Sequence, residues 1–205
     1  MTPVYKLSAN SVKNGRTVYG SMLAGNPVYE LPGDFQSIAT VSVGSGGAAT
    51  VSFTSIPATY SHLQVRLLAR SGRSVGSSAG LYLQFNSTFL TAAHQLRGNG
   101  SSASASGSSG GLGNDTLLIC VPGTSAGANI FGAGIVDILD YANTNKNKTV
   151  RILSGDDLNG SGAIQVNSGF LNSTSAITSL TFGSVDGVGS IPQYSHFALY
   201  GIKGA

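Results

Sequence analysis

The stretch "HLQVRLLAR", His62 to Arg70, puts Leu63, Val65, Leu67 and Ala69 on one side of an extended chain and Gln64, Arg66 and Arg70 on the other. An alternation of period two is what a strand shows when one face meets a core and the other meets solvent. From Ala39 onward the same kind of run recurs between clusters of Gly, Ser, Asn and Pro: "ATVSV", "TVSFT", "LYLQF", "TLLICV" (Thr116 to Val121), "GIVDIL", "TVRILS", "AIQVNS", "ITSLTF" and "HFALYGI". About ten short strands separated by turn signals predict an all-β antiparallel sandwich, and the length suits a two-sheet jelly roll. The segment "AGANIFGAGIVDILDYA" is the one place where a short helix is conceivable. Gly132 and Gly134 argue against it, each costing about 1 kcal/mol relative to alanine in a helix interior.

The strand after His62 has an echo. "SIPATYSHLQVR" (Ser55 to Arg66) and "SIPQYSHFALYG" (Ser190 to Gly201) repeat Ser-Ile-Pro and Tyr-Ser-His before an apolar run. Leu63 and Val65 correspond to Phe197 and Leu199, so the two strands are predicted to turn the same face to the core and to pair or face one another. Arg66 and Leu68 correspond to Tyr200 and Ile202, which makes the last strand apolar on both faces. Tyr200 and Ile202 are therefore candidate subunit-interface residues, covered by the N-terminal segment or a second subunit.

Two regions stand apart from this β-sandwich domain, which spans residues 35–205. Residues 1–34 read as an extended arm with three Val-Tyr pairs, in "TPVYKL", "RTVYG" and "NPVYEL". The arm has too few apolar residues for a core of its own, so Val4, Tyr5, Leu7, Val18, Tyr19, Val28, Tyr29 and Leu31 are candidate partner-binding residues. Residues 97–115, "RGNGSSASASGSSGGLGND", read as a solvent-exposed Ser/Gly-rich loop.

Composition narrows the function. Only 9% of the 205 residues are charged, 29 are glycine, none is tryptophan, and the net charge of +3 is spread thinly. No dense basic stripe is present of the kind that neutralises many phosphates, so nucleic acid is not an expected partner. No run approaches the ~20 apolar residues of a membrane span, nor does the N-terminus read as a secretory signal, so neither membrane insertion nor classical secretion is expected. Cys120 is the single cysteine and reads as a small buried hydrophobe.

Candidate chemistry is sparse. His62, His94 and His196 lack ligand-like spacing, and the positions of His62 and His196 in the echo favour a common structural role, so no metal is expected. The acidic turn "DDLNGSG" (Asp156 to Gly162) lacks the ligand alternation of a calcium loop and reads as an Asx turn. No G-x-S-x-G elbow is present. Asp137, Asp140, Asp156 and Asp157 would have to supply the acids of any glycosidase or depolymerase, and no spacing between them demands that reading. No catalytic residue and no cofactor is expected. Exposed tyrosines could stack on sugars.

Several blocks resemble a known family. "VSFTSIPATYSHLQVRLLAR", "LYLQFN", "LRGNGSSASA", "GIVDILDYANTNKNKTVR", "SGDDLNGSGAIQVNSGFLNSTSAITSLTF" and "YSHFALYGIKGA", in that order from Val51 to Ala205, look like a family of tailed-bacteriophage virion proteins. "GFLNSTSAIT" departs from the family pattern, since a tryptophan is expected at Leu171 or its neighbour. The resemblance implies a non-enzymatic structural module on the phage particle, a tail or tail-fibre component or else a capsid decoration or head-fibre protein. Residues 1–34 fall outside the shared blocks; there the expectation is an N-terminal adaptor that fixes the domain to other virion proteins, in a homo-oligomer with a trimer favoured. A host-surface glycan is a further expected contact.

Overall fold

The computed structural model describes residues 34–77, 79–99, 119–187 and 189–204; the arm residues Val4 to Leu31 and most of the Ser/Gly-rich segment lie outside them. Ten strands form, and no α-helix is present among the described residues: β1 (Phe35–Ser42), β2 (Thr50–Phe53), β3 (His62–Ala69), β4 (Leu81–Phe85), β5 (Ala92–Asn99), β6 (Gly132–Leu139), β7 (Lys148–Asp157), β8 (Gly162–Leu171), β9 (Leu180–Ser184) and β10 (His196–Ile202). They divide unequally. A seven-stranded antiparallel sheet runs β1-β10-β3-β6-β7-β8-β5, and a three-stranded one runs β2-β9-β4.

The two sheets share one apolar core, as expected of an antiparallel sandwich. Leu63, Val65 and Leu67 of β3, Val136 and Ile138 of β6, Val150 and Ile152 of β7 and Phe197 and Leu199 of β10 point inward from the large sheet. Val51, Phe53, Leu81, Leu83, Phe85, Leu180 and Phe182 meet them from the small one. Phe182 joins the layers: its ring lies 5.1 Å from that of Phe197 and 6.3 Å, edge-on, from that of Phe53. Each fully buried side chain of this kind contributes about 1.5–3 kcal/mol of hydrophobic stabilisation.

The echoed strands do pair. β10 lies antiparallel to β3, with Phe197 opposite Leu67, Leu199 opposite Val65 and Gly201 opposite Leu63. Antiparallel pairing sends the two histidines to opposite ends of the ladder: His62 stands beside Ile202 and His196 beside Leu68. Six residues of strand separate them, roughly 20 Å. The two Ser-Ile-Pro turns anchor similarly. The Ile56 N–H bonds to the Thr178 carbonyl (3.0 Å), and Ile191 exchanges both backbone bonds with Ala48 (2.9 and 2.7 Å). Both isoleucines are buried.

The tyrosines of the echo differ. The Tyr60 ring lies flat against Gly201, where a Cβ would come within 2.3 Å of the ring, and its hydroxyl donates to Gln36 Oε1 (3.0 Å). Tyr194, at φ 71°, is 69% exposed.

Other details depart from the sequence reading. Arg97, Gly98 and Asn99 close strand β5, so the Ser/Gly-rich segment begins later than residue 97. β5 itself has no clear alternation in "AAHQLRGN" and owes its place to pairing along its whole length with β8. Of "TLLICV", Ile119 makes a single bridge to Leu81 and Cys120 is buried. The stretch read as a possible helix becomes a turn region followed by β6. The acidic turn is an Asx turn: Asp157 Oδ1 accepts the Asn159 N–H (2.8 Å), and Asn159 and Gly160 both have positive φ, as a tight hairpin with Asn-Gly at its tip requires.

Candidate functional site: the outer face of the large sheet

The outer face of the seven-stranded sheet is where the structure departs most from the amphipathic rule. On β8 the alternation is inverted: Gln165 and Asn167 are buried, joined by a 3.0 Å hydrogen bond, while Ile164 and Val166 point outward at 61% and 47% exposure. Because side chains alternate with period two, a strand's apolar set normally fixes which face turns inward. Here that set faces out.

Its neighbours keep apolar residues inward but carry further large apolar side chains on the outer face. Leu96 on β5, Val166 on β8, Leu153 on β7 and Ile135 on β6 stand in register as one apolar row across four strands, each exposed. The adjacent row, Gly98, Ile164, Gly155 and Ala133, is small except at β8. An open groove of about 840 Å³ runs along this face, lined among others by Arg66, Phe131, Ile135, Leu153, Asp157 and Ile164.

Toward β3, β10 and β1 the face becomes polar and aromatic. Phe35 and Tyr200 stack at 4.7 Å between centroids, and the Arg66 guanidinium lies 5.3 Å from the first ring and 5.8 Å from the second. Arg66 Nε donates to Gln64 Oε1 (2.9 Å), whose amide donates to Asp137 Oδ1 (2.8 Å). Tyr200, expected to be exposed for a partner, is thus half-covered by Phe35 of the neighbouring strand, and Ile202, also half-buried, pairs opposite Phe35 and His62. Arg66 and Arg151 are balanced on this face by Asp137 and Asp157. The field is near neutral and suits an apolar protein surface better than a phosphate backbone.

The four carboxylates weighed as acids take different surroundings. Asp137 sits in the Gln64–Arg66 chain of hydrogen bonds. Asp140, just past β6, pairs with Lys146, which holds its carboxyl below the usual range through a side-chain hydrogen bond. Asp156 is buried and accepts from Ser77 Oγ (2.8 Å) and the Ala163 N–H (3.0 Å), whereas Asp157 projects from the opposite face of β7. His62 Nδ1 accepts the Asp140 N–H (3.0 Å) and lies 3.7 Å from Asp140 Oδ1. No group of three or more His, Cys, Asp or Glu side chains that could hold a metal ion occurs among the described residues.

Two buried cations act as clamps. Arg70 donates to the carbonyls of Gly123 (3.2 Å), Gly127 (3.0 Å), Thr124 (3.2 Å) and Ala126 (2.8 Å), fastening the segment that leads into β6. The Lys148 ammonium gathers the carbonyls of Asn143, Lys146 and Thr174, and burial pushes its pKa down. Both use the chain's scarce charges to satisfy loop carbonyls that would otherwise be buried without donors.

The apolar row was missed in the sequence because two-sided apolarity was weighed only in the last strand. The same signal is present in "IV" (Ile135, Val136) and "IL" (Ile152, Leu153), where neighbouring residues of opposite parity are both large and apolar. Comparison of the chain with protein-family models, curated proteins and solved structures finds no match.

Proposed function

We propose that this chain is a non-enzymatic structural protein of a tailed-bacteriophage particle, a surface-displayed tail or tail-fibre component attached by its N-terminal arm. The observation that carries the reading is the ordered series of sequence blocks from Val51 to Ala205 that resembles such proteins. An all-β sandwich with few charges and with its buried cations spent on loop carbonyls is compatible with that role. So is an apolar face suited to protein contact. Tyr194, 69% exposed on the turn before β10, is the described tyrosine best placed to stack on a host-surface glycan.

The arm supplies the test. Removing residues 2–34 should leave a sandwich that melts cooperatively but no longer joins the particle, because the Val-Tyr segments are the attachment element in this account. Normal incorporation of the shortened chain would sink the proposed attachment. Labelling intact particles separates a tail position from the alternative, a capsid decoration or head-fibre position. Turnover of host polysaccharide by the purified protein would favour a depolymerase instead.

A further inference from the structure

The outer apolar face has a shape that matches itself. We propose that it is a two-fold interface between two copies of this chain, packed sheet on sheet with β7 of one copy across β7 of the other. The inference rests on strand register and exposure, independently of the virion reading, and puts a two-fold pair in place of a trimer at this face.

The row of Leu96, Val166, Leu153 and Ile135 lies directly beside the row of Gly98, Ile164, Gly155 and Ala133. A two-fold axis lying in the interface and running across the strands between these rows reverses strand direction. It sets each strand over its own copy. Leu153 then meets Gly155, Ile135 meets Ala133 and Leu96 meets Gly98, so large side chains enter the spaces left by small ones. Only on β8 do two larger side chains meet, Val166 and Ile164, and these keep the sheets at the usual ~10 Å separation.

The same operation settles the charges. Arg151 and Asp157 are exposed on this face of β7, three residues to either side of Ser154, the strand position the axis crosses. Arg151 of each copy therefore faces Asp157 of the other, which gives two ion pairs and no like-charge contact between these side chains. A second copy meets both the apolar and the charged pattern without any change to the chain, which is the defining property of an isologous contact.

Size and energetics agree. Four strands of about eight residues cover on the order of 500 Å², a face that combines the two rows with the Arg151 and Asp157 charges. With the Arg66 and Asp157 margins of the groove included, the face approaches the ~800 Å² per partner of a standard interface. The inverted β8 carries the argument further. Ile164 and Val166 leave apolar surface in water on an isolated sandwich, and a second apolar sheet over the outer side removes it.

Cysteine cross-linking of the full chain tests the axis. Arg151 and Asp157 lie six residues apart on one strand, roughly 20 Å, too far for a short bis-maleimide to join them within one chain. The native Cys120 is buried. Treated with a short bis-maleimide, whose span suits the ~10 Å between packed sheets, the double variant Arg151→Cys/Asp157→Cys should give a covalent dimer, while Arg151→Cys and Asp157→Cys alone should each stay single-chain. Cross-linking by either single variant overturns the axis, and a ladder of higher species from the double variant overturns the closed two-fold. In sedimentation the wild-type chain should be a dimer at tens of micromolar and Leu153→Glu a monomer that still melts cooperatively, at a temperature no longer dependent on protein concentration. A monomeric wild type, or an oligomer indifferent to Leu153→Glu, overturns the proposal.

Discussion

Replacing Arg70 by methionine keeps most of a long side chain's volume but removes all four donors to the carbonyls of Gly123, Thr124, Ala126 and Gly127. Arg70 is only 9% exposed, so the freed carbonyls gain little water in exchange. Hydrogen bonds to a charged group are worth about 1.5–3 kcal/mol each in net stability. That figure is already net of desolvation and such bonds are not additive within one cluster, so the loss expected for all four together is about 3–5 kcal/mol, less than their sum. For a domain of this size that lowers Tm by about 6–20 °C, at ~2–4 °C per kcal/mol. Arg70→Lys retains the charge without the planar fork and should fall between wild type and Arg70→Met. The chain has no tryptophan, so urea unfolding is best followed by far-UV circular dichroism. The reasoning requires Cm to fall with m unchanged. Stabilities of both variants within 0.5 kcal/mol of wild type would refute the clamp.

Gly201→Ala should cost about 1–3 kcal/mol, because its Cβ would press on the Tyr60 ring. Adding Tyr60→Ala should recover much of that loss, and additive effects in the double-mutant cycle would contradict the contact. Asp140 has a folded-state pKa below its unfolded value, chiefly through Lys146, so its stabilising contribution is present above the unfolded pKa, about 4, and fades as pH falls through the lowered folded pKa. Asp140→Asn should therefore flatten the stability profile on the acid side of pH 4 and leave its slope between pH 6 and 8 unaltered, as read from melting curves across that range.

The strands of the core were legible because burial on one face imprints a period of two. "HLQVRLLAR" and the end of the chain announced not only two strands but their pairing, since the echo gave Leu63, Val65, Phe197 and Leu199 matching parity. β5 was not legible: "AAHQLRGN" has small and polar residues at both parities and is held by its ladder to β8. Nor was the orientation of β8. In "AIQVNS" the natural reading turns Ile164 and Val166 inward, and only the register with β7 and β5 shows that Gln165 and Asn167 take the inside. Residues on the outer face come from four strands dispersed between residues 92 and 171, so their alignment into one row is a property of register and not of any local motif. The clamps at Arg70 and Lys148 were equally hidden, because their partners are backbone carbonyls, which every residue carries.

The proposed membership of a phage particle is tested most directly by inducing or propagating particles from a source that carries the gene for this chain, purifying them through a density gradient and quantifying the protein in the particle band. The account predicts that the chain sediments with the particles at a fixed copy number and that labelling places it on the tail. Its absence from particles that are otherwise complete would contradict the account.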